Sequence, residues 1–215
     1  MKIIRRSMLC MAACALALLA ACSILPPNES PDVYVLPRAQ AAPANEAQPL
    51  PWQLRVDTPE ATGMLTGSGI VVMPEPGKIT VYKGAQWNDP APVLLRERLV
   101  DAFLATHRLP AVTTESDALS SDFILGGDLR AFQAEYRNSA PVVVIRFDAQ
   151  LRRGGSRQVL AARSFEVSAT PSGVAIPQIV QAFGRAGDQL SAQVVEWTLA
   201  QGQNDWARQG AADKK

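Results

Sequence analysis

The stretches Phe123 to Tyr136 (FILGGDLRAFQAEY), Pro141 to Arg152 (PVVVIRFDAQLR) and Gln158 to Thr170 (QVLAARSFEVSAT) decide the fold. They are long, rich in β-branched and aromatic residues, and follow one another closely, with Gly154-Gly155 marking a turn between the last two. Such a meander predicts neighbouring antiparallel strands. In the second run Val142, Val144, Phe147 and Ala149 do not keep a strict period of two, which predicts a bulge or burial on both faces. Gly126-Gly127-Asp128 sits inside the first strand pattern rather than before a helix, so a bulge is expected there and not a phosphate cradle.

Upstream, Trp52-Gln53-Leu54-Arg55-Val56-Asp57 alternates apolar and polar residues, and Ile70-Val71-Val72-Met73 and Lys78-Ile79-Thr80-Val81-Tyr82 flank the turn Pro74-Glu75-Pro76-Gly77 as a hairpin. Thr62 to Gly69 is a Gly/Ser/Thr loop, and Ala111 to Thr114 a short strand. Asp89-Pro90 opens a first helix, with Asp89 able to cap it, whose apolar face holds Leu95, Leu99, Ala102 and Phe103. A second helix, from about Ala175 to Ala200, places Ile176, Val180, Phe183, Gly187, Leu190, Val194 and Trp197 on a narrow seam. That seam suits packing on a sheet, with a coiled coil as the alternative. The expected architecture is α+β: a mainly antiparallel sheet with two helices packed on one face.

The N-terminus carries a different message. Lys2, Arg5 and Arg6 precede an apolar stretch that closes on Leu19-Ala20-Ala21-Cys22, the order of a bacterial lipoprotein signal. Leu19, Ala20 and Ala21 are the expected signal-peptidase recognition residues, and Cys22 the site of lipid attachment. The stretch is shorter than the ~18 residues of a membrane span. Cys14 is a weaker competitor because its apolar region is only a few residues long. Residues 1–21 are therefore expected to leave as a signal peptide, with 22–51 a lipidated Pro/Ala-rich tether in which 33–36 form a possible first strand. A single domain over 52–201 and a polar, frayed C-terminal tail over 202–215 complete the chain. Loss of residues 1–21 leaves 194 residues, enough for one substantial core, and removes three cations, taking the formal charge from +1 to about −2. No electrostatic case for nucleic acid follows from that charge. Cys10 and Cys14 leave with the signal, so no disulfide is expected.

Chemistry-bearing clusters are scarce. His107, the single histidine, lies at the end of the first helix, where an imidazolium meets the negative end of the helix dipole. Thr66-Gly67-Ser68-Gly69 lacks the nucleophile elbow of a hydrolase and is expected to be a flexible loop. Glu115, Asp117 and Asp122 flank turns, where carboxylates cap backbone N–H groups. No catalytic, cofactor-binding or metal residues are assigned.

The order of elements carries a resemblance. The lipobox, Tyr34-Val35-Leu36, Ile79-Thr80-Val81-Tyr82, Trp87-Asn88-Asp89-Pro90-Ala91-Pro92-Val93-Leu94-Leu95, and Asp122-Phe123-Ile124-Leu125 leading to Leu129-Arg130-Ala131-Phe132 resemble the ABC-type transport auxiliary lipoprotein family, which includes the PqiC-like lipoproteins. The resemblance implies a non-enzymatic lipoprotein on the periplasmic face of the outer membrane. It would dock the periplasmic MCE protein of a lipid transport system whose permease and ATPase are separate chains, with a homo-oligomeric ring as one form of assembly. Trp87, just before the first helix, is a candidate partner contact, its other reading being an aromatic lid on the first helical turn. The alternative function is a carrier holding a lipid in its own cavity, which needs an apolar pocket of several hundred Å³. Cys22→Ser is expected to abolish palmitate labelling and release the protein from the outer-membrane fraction, with Cys14→Ser changing neither; wild-type labelling of Cys22→Ser would refute the lipobox.

Overall fold

Fifteen residues, Phe123–Arg137 (β6), form the strand on which the sheet is built. The computed structural model describes residues 30–38, 48–117, 119–156 and 158–212; Leu19, Ala20, Ala21 and Cys22 lie outside them. The elements before β6 are β1 (Asp32–Tyr34), β2 (Leu54–Val56), β3 (Gly69–Glu75), β4 (Lys78–Trp87), α1 (Ala91–Leu104) and β5 (Val112–Thr114). After it come β7 (Ala140–Arg153), β8 (Val159–Ala169) and α2 (Ile176–Ala212).

One edge of β6 pairs antiparallel with β7 from Phe123↔Arg153 to Arg137↔Ala140, and β8 adds antiparallel beyond β7. The other edge is shared. β2 runs parallel to Phe123–Leu125, Glu60 bridges to Asp128, and β3 runs parallel to Ala134 and Glu135. β5 then lies outside β2, and β4 and β1 lie outside β3. The fold is α+β as expected, with the β6–β7–β8 meander and the β3–β4 hairpin antiparallel. The sheet is nonetheless partly parallel, because β1–β4, β2–β5, β2–β6 and β3–β6 all pair in parallel. Each of these contacts joins segments far apart in sequence, so no tight turn forces them antiparallel.

The bulge is displaced from both places the sequence suggested. Pairing runs unbroken through Gly126↔Gln150 and Gly127↔Ala149, and the register shifts between Leu129 and Ala131. Arg130 is the extra residue. It moves the inward phase of β6 from Phe123, Leu125 and Leu129 to Phe132 and Ala134, so all five are buried beneath the helices. Gly127 instead takes φ 139°, where a side chain is strained, and a Cβ there would strike the Asp148 carbonyl oxygen. On β7 the period is strict for Val143, Ile145, Phe147, Ala149 and Leu151, while Val144 is buried on the opposite face.

The helices close the core as amphipathic layers. Leu95, Leu99 and Phe103 of α1 are buried, as are Val180, Phe183, Leu190, Val194 and Trp197 of α2. Ile179, Ala182, Ala186 and Leu199 are buried too, so the α2 face is broader than a coiled-coil seam. The ring of Phe183 stacks on Phe132 at 4.9 Å. Asp89 does not cap α1, whose N-cap is Pro90 with no side-chain hydrogen bond. The 202–215 segment, expected as a frayed tail, is helical through Ala212. Asp205 is buried there and accepts a hydrogen bond from Arg153 at 2.7 Å, while a Cβ on Gly202 would sit 2.8 Å from the Trp52 ring. Within 22–51, β1 joins the sheet where a first strand was expected at 33–36, and Leu36 and Leu50 are buried. Phe183→Ala removes a fully buried ring at the centre of this core and is expected to cost ~3–5 kcal/mol in chemical denaturation; a loss below about 1 kcal/mol would contradict the assignment.

Candidate functional site

Leu95, Arg98 and Leu99 share a face of α1, which carries Arg98 into the apolar layer against α2. Its side chain is 5% exposed and forms an ion pair with Asp188 of α2. The same guanidinium donates to the carbonyl oxygens of Leu36, at 3.3 Å, and Pro37. Burial pulls the Arg98 pKa below its ordinary value and Asp188 opposes that pull; a guanidinium remains charged through such shifts. Small residues on α2 make room for the captured segment. A Cβ on Gly184 would lie 2.8 Å from the Pro37 carbonyl oxygen, and one on Gly187 would lie 3.7 Å from Leu36. The segment that follows β1 is thus clamped onto both helices by one buried cation.

A cleft of about 470 Å³ opens beside the clamp. Val35, Leu36, Pro37 and Arg38 line one side, and Asn88, Asp89, Leu94, Glu97 and Arg98 the other. Arg38 also reaches Asp101 at 2.8 Å. Its walls are mixed: Val35, Leu36, Pro37 and Leu94 contribute apolar surface, and Arg38, Asp89, Glu97 and Arg98 contribute charges of both signs.

A second ionic tie holds the opposite flank of α1. Arg96 contacts Glu97 at 2.6 Å and Glu115 at 2.9 Å, and Glu115 accepts hydrogen bonds from the backbone N–H and hydroxyl of Thr58. Burial alone would raise the Glu115 pKa, but the bonds from Thr58 and Arg96 hold it below the ordinary carboxylate range. Asp117 accepts from the Thr114 N–H at 2.7 Å, the turn role anticipated for it, whereas Asp122 accepts from the sequence-distant Gln53 N–H at 2.8 Å. Among the described residues no group of three or more His, Cys, Asp or Glu side chains could hold a metal ion, and no helix is long and apolar enough to cross a membrane.

Trp87 is corrected from a partner contact to a core residue. It is 1% exposed, with its ring edge-on to Phe183 at 5.2 Å and to Phe132 at 5.9 Å, because the inward phase at the end of β4 points it beneath α2. His107 lies beyond the end of α1 with φ 51°, its N–H donating to the Leu104 carbonyl oxygen at 3.1 Å. It closes the helix through its backbone. Thr66 to Gly69 is not a free loop, since a 3₁₀ turn over Gly63–Thr66 buries Leu65 and Gly69 begins β3. Sequence reasoning missed Arg98, although a lone arginine on the apolar face of the first helix was the available signal.

A family model for the ABC-type transport auxiliary lipoprotein component matches residues 34–195. The chain belongs to this family. The match runs from Tyr34 in β1 to Val195 in α2, so this auxiliary lipoprotein carries its clamp within the family domain. The crystal structure of protein XCC0632 from Xanthomonas campestris, assigned to the DUF330 family, is similar at 32% identity and TM-score 0.74, covering 82% of this chain and 99% of that one. A second crystal structure, of an uncharacterized protein, shares the fold at 22% identity and TM-score 0.60, covering 78% and 98%. No curated protein matches the chain. Arg98→Ala is expected to cost the auxiliary lipoprotein ~2–3 kcal/mol through loss of charge-assisted hydrogen bonds. It should also speed amide exchange across 33–38; unchanged exchange there would show that β1 pairing alone holds the segment.

Proposed function

We propose that this auxiliary lipoprotein is held at the periplasmic face of the outer membrane by acylated Cys22 and docks the periplasmic MCE protein of an ABC-type lipid transporter. Permease and ATPase are then separate chains, and the lipoprotein contributes anchorage and a binding surface without catalysis. The observation that carries the reading is the family match across a domain whose sheet–helix interface is filled by side chains. Phe103, Phe123, Phe132, Phe147, Phe165 and Phe183 are all essentially inaccessible, so that interface offers no room for a lipid. A carrier would therefore have to use the cleft outside the core, whose walls mix apolar and charged side chains. A ring of copies, each separately anchored, fits the family resemblance and would surround the end of the transporter.

Affinity purification of the full chain from detergent-solubilised membranes tests this. Recovery of an MCE-domain protein with its permease and ATPase is expected, together with a permeability defect on deletion that matches loss of the transporter. Stoichiometric lipid with no protein partner would favour the carrier instead. Recovery of neither would refute docking.

A further inference from the structure

The sheet face turned away from the helices is not uniformly polar. Over β6, β7 and β8 it carries ion pairs, Arg130 with Asp148 and Arg146 with Glu166, each at 2.8 Å, as an antiparallel sheet facing water should. Over β1 and β4 it is apolar. Ala85 and Trp87 are buried toward the helices, so their partners Asp32 and Tyr34 share that face and Val33, opposite Gln86, projects from the other. A Cβ on Gly69, which also pairs with Gln86, would lie 2.5 Å from Val81 Cγ1, placing Val81 on the same outer face; Ile79 follows two residues earlier. Val33, Ile79 and Val81 are 60%, 46% and 40% exposed, three of the large apolar side chains in contact with water gathered on one edge. Such clustering marks a surface that is covered by something.

We infer that this β1–β4 face lies against the phospholipid leaflet that holds the anchor, an inference that rests on Cys22 being the acylated residue. Two observations select a lipid surface. First, Cys22 precedes Asp32 by ten residues, a span of at most about 35 Å. Val33 and Val35 are thus among the first side chains of the domain beyond the anchor. Second, Lys78 and Lys83 are the only lysines among the described residues, and they bracket Ile79 and Val81 on β4. Among the described residues Lys83 forms no ion pair, and Lys78 only approaches Glu75 at 3.6 Å in an exposed pair of little strength. Flexible ammonium groups flanking an apolar strip match phosphate headgroups above an acyl boundary. The same lysines also discourage strand addition at the open edge of β4, so the alternative is an edge protected from any partner.

The mature chain has no free thiol once Cys22 is acylated, so single cysteines can carry an environment-sensitive fluorophore. Val33→Cys, Ile79→Cys and, on the ion-paired part of the same face, Ser164→Cys would be labelled in the full acylated chain. Each is then reconstituted on phosphatidylethanolamine vesicles containing about a quarter phosphatidylglycerol. Probes at 33 and 79 are expected to shift to the blue and to be quenched severalfold by brominated acyl chains, with 164 unchanged. Lys78→Glu with Lys83→Glu should reverse the shift without changing flotation. Equal, water-like emission at all three positions, in protein whose intact mass shows the acyl chains, overturns the leaflet contact and leaves the anchor standing. Burial only after an MCE protein is added overturns it too, assigning the face to protein. An unmodified Cys22 refutes the anchor reading, and the same single-cysteine chains with Cys10, Cys14 and Cys22 changed to Ser, labelled and added to vesicles at high concentration, then decide the face: anionic-lipid-dependent shifts at 33 and 79 support it, and their absence overturns it.

Discussion

The hydrogen-bonding demand of β6 organises this protein. A strand of fifteen residues buried beneath two helices must pair its N–H and C=O groups on both edges, because unpaired backbone in the interior is costly. β7 meets that demand along one whole edge. No single strand does so on the other, where β2, the Glu60 bridge and β3 follow one another. From this division come the parallel pairings and the position of β1 at the far edge of the sheet.

That edge is where the family match begins, at Tyr34. A three-residue β1 ladder would hold little alone. Arg98 supplements it by gathering two carbonyl oxygens and Asp188 around one buried guanidinium, a geometry that a planar, permanently charged donor fork satisfies better than an ammonium. Gly184 and Gly187 complete the seat by letting the segment lie close on α2. The tether's end therefore belongs to the rigid layer of helices and sheet, so a pull on the chain N-terminal to β1 acts on the core.

Much of the fold was legible in single-strand and single-helix patterns. The meander, the hairpin and both helices follow from alternation, turn residues and helical spacing, which are local properties. The Asp117 cap was equally local, since it binds the Thr114 N–H three residues back, whereas Asp122 accepts from the Gln53 N–H 69 positions away. Arg98 was legible only as an anomaly, a charge on an apolar stripe whose partners lie 61 and 90 positions away. Trp87 misled because its inward direction depends on the irregular register between β3 and β4.

The sequence by itself determined that the chain is an α+β domain of this lipoprotein family, because alternation and helical spacing are written within each element and the family motifs occur in order. Only the tertiary structure decided which strands run parallel, where the β6 bulge falls, that α2 continues to Ala212, and that Val33, Ile79 and Val81 share one face. These depend on contacts between segments distant in sequence. Asp205 finding Arg153, or Gly69 meeting Val81, leaves no trace in the periodicity of either segment alone.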